Sequence, residues 1–126
     1  IAVSRVFRSA PMGPQDQPDF INAAAGLLTQ LDARVLLRGL QGIETALGKT
    51  PSAVRWGPRL IDLDLLLYGS LASGDDELRL PHPGIHERNF VLYPLDEISP
   101  TLFVTGRGSV AELARRLGSD GLGTAD

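Results

Sequence analysis

The chain has 126 residues, and its 12 basic and 15 acidic side chains give a formal net charge of −3. This length accommodates one domain with a substantial core, and the 43% of apolar residues exclude a wholly disordered chain. There is no cysteine, no apolar run long enough for a spanning helix, and no basic excess of the kind that coats nucleic acid. We therefore predict a cytoplasmic protein with neither a membrane nor a nucleic-acid partner.

The first part of the chain predicts short strands, a loop and one helix. Residues 2–8 are β-branched and aromatic and predict a strand, whereas residues 10–19 are rich in Pro, Gly and Asp and predict a loop. Residues 20–31 fit either a helix or a strand. Asp32 is the expected N-cap of the following helix, and Gly48 is placed to end it. Along this helix, one apolar stripe is formed by Leu36, Leu40, Ile43 and Leu47.

The clearest strand pattern is LIDLDLLLY at residues 60–68. Its alternation places two acidic residues, Asp62 and Asp64, on one face together with Leu66 and Tyr68. The opposite face is wholly apolar and consists of Ile61, Leu63, Leu65 and Leu67.

The last part of the chain predicts extended structure followed by helix. Residues 80–100 begin with two prolines and predict extended chain, then a short helix or turn. Ser109 and Glu112 form a capping box that begins a final helix. This helix is expected to run to about Leu117 and to end at Gly118. Residues 119–126 are predicted to fray.

Asp62 and Asp64 have the clearest chemical meaning. Two residues apart on a strand, they point the same way with Cα atoms about 6.5–7 Å apart. Magnesium compensates the repulsion between two such carboxylates, because the ion is bound by one or two carboxylates together with water and substrate phosphates. An isolated Asp-x-Asp is more often a solvent-facing pair, but Leu66 and Tyr68 on the same face make simple exposure less natural.

Neighbouring residues allow both functional and structural interpretations. Arg59 could lie near a metal-bound phosphate or pair with an aspartate, and Trp56 could cover a flat ligand or anchor its loop. His82 and His86 are four residues apart, but the prolines and glycine between them break any helix and disfavour a zinc pair. His82 either donates to a phosphate or is a surface turn histidine.

Three blocks together resemble the 6-hydroxymethyl-7,8-dihydropterin pyrophosphokinase family of folate biosynthesis. They are RWGPRLIDLDLL at residues 55–66, LPHPGIHERNFVLYPL at residues 80–95, and an opening segment at residues 3–22. The resemblance implies a ferredoxin-like α+β sandwich with an antiparallel sheet, in which residues 20–31 form a strand. It also implies Mg²⁺-dependent transfer of a diphosphate from ATP to the pterin hydroxymethyl group, with release of AMP.

The resemblance further implies roles for individual residues. Arg59, Asp62 and Asp64 would be catalytic, and the two aspartates would hold two Mg²⁺ ions. The pterin would be bound by Ser9, Met12, Phe20, Asn22, Trp56 and Phe90. ATP would be bound by Leu37, Glu44, Lys49, Arg55, Leu65, His82 and Arg88. Two positions depart from the family, since some members carry phosphate-binding arginines where this chain has Pro51 and Glu77.

The resemblance also predicts a strand and a helix upstream of Ala2. We therefore expect an N-terminally incomplete pyrophosphokinase domain at residues 1–118, a flexible tail at residues 119–126, and a monomer that binds only small-molecule substrates. One alternative is a non-catalytic fragment that binds pterin or nucleotide without turnover. A ferredoxin-like nucleic-acid module ranks last, because the most distinctive strand face carries two aspartates.

Overall fold

The computed structural model describes residues 2–9, 20–48 and 62–125. The helices in these ranges are α1 Ala33–Ala46, α2 Asn89–Ile98 and α3 Val110–Leu117, with a 3₁₀ helix at Ile85–Glu87. The strands of the first half are β1 Ala2–Val3, β2 Phe7–Ser9, β3 Phe20–Asn22 and β4 Ala25–Gly26. Those of the second half are β5 Ser73–Gly74, β6 Arg79–Leu80, β7 Phe103–Val104, β8 Gly108–Ser109 and β9 Leu122–Thr124.

Every strand pairing in the described residues is antiparallel. The largest sheet has the order β3-β2-β9, and three two-stranded ladders join β1 to β4, β5 to β6 and β7 to β8. The strand predicted at residues 2–8 is confirmed in part, because only residues 2–3 and 7–9 form strands, β1 and β2. The family resemblance implied one strand at residues 20–31, and this range instead contains two short strands, β3 and β4, and no helix. The structure is therefore mixed α/β with antiparallel sheets.

Part of the tail at residues 119–126, which was predicted to fray, pairs with β2 as strand β9 in the described structure. Its residues pair with β2 in the register Ser9 to Leu122 and Phe7 to Thr124, and the Ala125 N–H donates to the carbonyl of Val6 at 2.9 Å. A polar, glycine-rich segment of this kind has no intrinsic strand preference. The open edge of β2 supplies the hydrogen-bonding partners instead.

The described residues 62–68 form neither a strand nor a helix, contrary to the prediction of a strand at residues 60–68. One backbone hydrogen bond joins this segment to a later one, from the His82 N–H to the Leu66 carbonyl at 2.8 Å. Its side chains also do not alternate between two faces. Leu65 and Tyr68 pack against one apolar cluster and Leu66 and Leu67 against another, because the segment runs between the two clusters.

The predicted ends of the helices are confirmed. Asp32 caps α1 by accepting a hydrogen bond from the Val35 N–H at 2.9 Å, and Gly48 follows the helix with a φ of +105°. Ser109 caps α3 by accepting from the Glu112 N–H at 3.2 Å. These interactions satisfy N–H groups that the first turn leaves unpaired.

The apolar stripe of α1 does not face a core in the described structure. Ile43 and Leu47 are 50% and 51% exposed. The helix instead buries Ala33 and Glu44, with Leu37 packed on the second cluster. This face is rotated from the stripe by about one residue, or about 100°, and it is the face against which residues 63–65 and the β5–β6 hairpin lie.

Two apolar clusters hold the described elements together. The larger joins α2, α3 and the 3₁₀ helix, and its buried members are Ala24, Ile85, Leu92, Leu95, Val104, Val110, Leu113 and Ala114. The smaller consists of Ala33, Leu78 and Leu80. Helix α2 also packs on β2, β3 and β4. Within the described ranges, no helix has the length and apolar character needed to cross a membrane.

Candidate active site

One cavity of about 350 Å³ gathers residues that are far apart in the sequence. Its walls are the inward face of α1, residues 63–65, the β5–β6 hairpin and the segment after the Leu80–Pro81 bond, which is cis. Five of the residues singled out from the sequence line it, namely Leu37, Glu44, Asp64, Leu65 and His82. The structure thus places most of the described ATP-side candidates and one metal candidate in a single cavity.

Glu44 connects helix α1 to residues 62–64, the acidic segment that carries Asp62 and Asp64. Its buried carboxylate accepts a hydrogen bond from the Leu63 N–H at 2.6 Å. A charged acceptor makes such a bond stronger than one between neutral groups. Because Leu63 lies between Asp62 and Asp64, this bond fixes the backbone from which both aspartates project.

Asp62 and Asp64 both have exposed side chains, on either side of the half-buried Leu63. Asp64 reaches the cavity wall. Hard carboxylate oxygens at the edge of a cavity are the donors that Mg²⁺ prefers, and two carboxylates leave coordination positions for phosphate oxygens. In the described residues no group of three or more metal-binding side chains occurs, so an ion here would also need ligands from water or substrate.

His82 is poised as a hydrogen-bond donor. Its Nδ1 accepts from the Gly84 N–H at 3.2 Å, so a neutral ring carries its proton on Nε2. Partial burial lowers the pKa of His82 below 6.5, while the charge of Asp64 raises this pKa and that of Arg88 lowers it. Nε2 can therefore donate to a phosphate oxygen without the ring being charged.

Arg88 does not line the cavity, but its side chain lies beside the same turn. A Cβ placed on Gly84 would come within 3.0 Å of the Arg88 Nε. Glycine at position 84 thus permits the close approach of this guanidinium. Since Arg88 also acts on the pKa of His82, the two predicted ATP residues share one electrostatic environment.

The predicted pterin residues fall on adjoining elements. Ser9 and Phe20 are directly opposite in the β2–β3 ladder, and Asn22 is opposite Phe7. Phe90 is in the first turn of α2, the helix that packs on both strands. Phe20 is half exposed, and the buried Ser9 hydroxyl has no hydrogen-bond partner within the described part of the chain.

Five of the predicted site residues lie outside the described ranges. They are Met12, Lys49, Arg55, Trp56 and Arg59. Their roles remain those implied by the family resemblance.

The cavity also contains residues that the sequence did not single out for binding. Those are Gln41, Leu63, Asp76, Glu77, Leu78, Arg79 and Pro83. Arg79 is the only arginine or lysine lining the cavity among the described residues, and its nearest acidic partner is the exposed Asp76 at 3.6 Å. The sequence signal that could have drawn attention to Arg79 is its position between two leucines, Leu78 and Leu80. Both leucines are buried in the structure.

Glu77 has a different role from an arginine at this position. Its carboxylate lies 3.0 Å from Arg34 and 3.3 Å from Arg38, two residues of α1. Arg34 also pairs with Asp75. The hydrogen bond from Arg34 lowers the pKa of Asp75 from 3.8 to about 2, and it lowers the pKa of Glu77 as well. These pairs join α1 to the β5–β6 hairpin along one side of the cavity.

A mixed α/β structure whose cavity combines carboxylates, a histidine and an arginine has the chemistry of an enzyme that handles magnesium-bound phosphates. Comparison with known proteins gives the family. The model of the 7,8-dihydro-6-hydroxymethylpterin-pyrophosphokinase family matches residues 1–100, and this chain belongs to that family.

The chain is also similar to individual proteins. A 2-amino-4-hydroxy-6-hydroxymethyldihydropteridine pyrophosphokinase of Haemophilus influenzae is 40% identical over 116 residues, which are 92% of this chain and 72% of the relative. One from Pseudomonas aeruginosa is 45% identical over 102 residues, which are 81% of this chain and 62% of the relative. The folic acid synthesis protein fol1 of Schizosaccharomyces pombe is 40% identical over 100 residues, 79% of this chain and 14% of that protein.

Proposed function

We propose that this chain provides the active site of a pyrophosphokinase that transfers a diphosphate from ATP to the hydroxymethyl group of 6-hydroxymethyl-7,8-dihydropterin and releases AMP. The observation that carries the proposal is the cavity in which Leu37, Glu44, Asp64, Leu65 and His82 meet. Family membership and the names of the relatives supply the reaction. The pterin oxygen bonds to the β-phosphorus as the bond from that phosphorus to the α-phosphate oxygen breaks.

The carboxylates of Asp62 and Asp64 would hold two Mg²⁺ ions together with oxygens of the triphosphate. When bound, Mg²⁺ neutralises charge on the transferring diphosphate. Glu44 keeps the acidic segment in place through its bond to the Leu63 N–H. Precise positioning of this kind is the main contribution that a protein makes to phosphoryl-type transfer.

His82, together with Arg79 and Arg88, would bind the phosphates. The Nε2–H of His82 donates to a phosphate oxygen, an interaction that raises the pKa of the ring once the anion is present. Arg88 lies beside the same turn, and Arg79 supplies a further positive charge inside the cavity. This charge matters because the other charged walls of the cavity are acidic.

The pterin would lie against β3 and the start of α2, between Phe20 and Phe90, with Asn22 hydrogen-bonded to its polar edge. The hydroxyl of Ser9 is a free donor and acceptor within the described residues and is suited to a polar pterin atom. Met12 would line the pocket, with Trp56 and Arg59 closing over it. In this proposal the protein is a monomer with a ferredoxin-like sandwich.

The test is release of AMP from ATP, measured with a coupled assay in the presence of Mg²⁺ and 6-hydroxymethyl-7,8-dihydropterin. Reactions without pterin, or with EDTA, control for ordinary ATP hydrolysis. The proposal predicts one AMP and one pterin diphosphate per ATP consumed. Binding of both substrates without AMP release would instead identify a non-catalytic pterin- and nucleotide-binding protein.

A further inference from the structure

A second cavity, of about 340 Å³, shares no lining residue with the candidate active site. Three elements meet around it: the turn between β7 and β8, the last turns of α3, and the 3₁₀ helix. Its walls are formed by His86, Gly106, Arg107, Leu113, Arg116 and Leu117. We propose that this cavity binds a small phosphorylated ligand, at a site independent of the pyrophosphokinase reaction.

The cavity collects positive charge that the described protein does not neutralise. Arg107 and Arg116 both line it, and within the described ranges neither side chain has a hydrogen bond or an ion pair. Among the described residues that line this cavity there is no aspartate or glutamate. The imidazole ring of His86 also lines the cavity. Its Nε2 lies 3.3 Å from a carboxylate oxygen of the exposed Glu87. In a chain of net charge −3, two unpaired arginines from separate elements make a local anion-attracting site.

The position of Arg116 on α3 is not explained by the helix alone. Arg115 and Arg116 are both in the last turn, where either cation is favourable beside the unpaired carbonyl groups. Only Arg116 lines the cavity. Arg115 is exposed elsewhere on the same turn and therefore provides a matched control for local charge.

The shape and composition of the cavity favour a phosphate. Two guanidinium forks can each engage oxygens of one phosphate, whose three free oxygens exceed what a carboxylate offers. Gly106 lines the turn with a φ of +78°. Apart from its two chain neighbours, no atom of the described residues lies within 4 Å of where its Cβ would stand, so space is open above that backbone. Leu113 and Leu117 form an apolar floor suited to the body of a phosphate ester, and the volume is that of a small-molecule pocket.

The experiment is an NMR titration of the full chain with inorganic phosphate and, separately, with phenyl phosphate, at constant ionic strength. The proposal predicts saturable shifts of the Gly106, Arg107 and Arg116 amides. Arg107→Ala and Arg116→Ala should each weaken binding at least about tenfold, a change of one decade in Kd. Arg115→Ala should bind like the unaltered chain. Equal affinity in all three variants would overturn the proposal.

The two ligands identify the source of the phosphate. Tighter binding of phenyl phosphate, reduced by Leu117→Ala, assigns the site to a phosphate ester, whereas equal binding assigns it to free phosphate. A glutamate-rich peptide that shifts these amides when neither phosphate does would contradict a small-ligand site. Asp64→Ala should retain phosphate binding here, so failure of the proposed catalysis and failure of this site are separable.

Discussion

The carboxylate of Glu44 accepts a hydrogen bond from the backbone N–H of Leu63 at 2.6 Å. This bond spans 19 residues of sequence and joins the buried face of α1 to the segment that carries Asp62 and Asp64. The described part of that segment has no strand partner, so its position relative to the helix depends strongly on this contact. Glu44 is therefore a positioning residue as well as a candidate wall of the ATP site.

We expect Glu44→Ala to lower both stability and activity. Loss of the acceptor leaves the Leu63 N–H without this bond, at a cost of about 1–3 kcal/mol in the free energy of unfolding. Glu44→Gln keeps an acceptor oxygen and should lose less. Urea unfolding and the KM for ATP measure the two effects, with the exposed Glu87→Ala as control. An Ala variant unchanged in both would show that the bond does not position the site.

Asp62→Ala and Asp64→Ala should each abolish AMP release and leave the fold intact. Both side chains are exposed, so neither substitution opens a cavity in the core, and the melting temperature should change little. Asp120→Ala changes charge by the same amount at an exposed residue outside the cavity. The AMP assay and a thermal melt compare the variants. Near-normal rates with Mg²⁺ in either aspartate variant of the acidic segment would refute the metal role.

Arg79→Ala should raise the KM for ATP by about tenfold while changing the KM for the pterin little. The reason is that Arg79 supplies the one arginine charge among the described residues lining the cavity. A single phosphate contact to a charged group is worth about 1.5–3 kcal/mol. Arg79→Lys should be intermediate, because it keeps the charge but loses the fork. Arg115→Ala serves as control, and equal KM values for ATP in the two alanine variants would remove Arg79 from the site.

The ion pairs of Arg34 should make stability depend on pH at the acidic end. Its hydrogen bonds lower the pKa of Asp75 and Glu77 in the folded chain, so the folded state releases these protons more readily than the unfolded state. The resulting stability is present above the ordinary pKa values of 3.8 and 4.5, and it is lost as the pH falls towards about 2. The effect is small because all three groups are exposed to solvent.

The measurement for these pairs is the urea unfolding of the unaltered chain and of Arg34→Ala at several pH values. The two chains should differ at pH 7 and converge towards pH 2. A difference that is the same at both ends of the range would indicate lost packing of the arginine stem rather than lost ion pairs.

The pairing of β9 with β2 predicts protection of the C-terminal backbone. The amide of Ala125, which donates to Val6, should exchange with solvent at least about tenfold more slowly than in an unstructured peptide, since exchange needs a local opening. Hydrogen exchange followed by NMR measures this rate. Deletion of residues 119–126 should lower the melting temperature. Exchange of Ala125 at the peptide rate would indicate a frayed tail instead.

Local chemistry in the sequence was sufficient to place the helix ends. Asp32 and Ser109 cap α1 and α3 through bonds that span three residues, and Gly48 follows α1 in a conformation that glycine adopts easily. Such interactions depend only on neighbouring residues. The motif around Asp62 and Asp64 is local too, but an Asp-x-Asp by itself is more often a solvent-facing pair, so its magnesium role is a proposal that also draws on the family resemblance.

Tertiary contacts decided what local sequence could not. The face that α1 buries, the split of residues 65–68 between two clusters and the pairing of β9 with β2 each depend on partners distant in the chain. For this reason the strongest alternating pattern yielded no strand assignment within residues 62–68, whereas a polar tail formed one. Arg79 joined the cavity for the same reason: its place follows from the β5–β6 hairpin folding against α1, a relationship that no local spacing encodes.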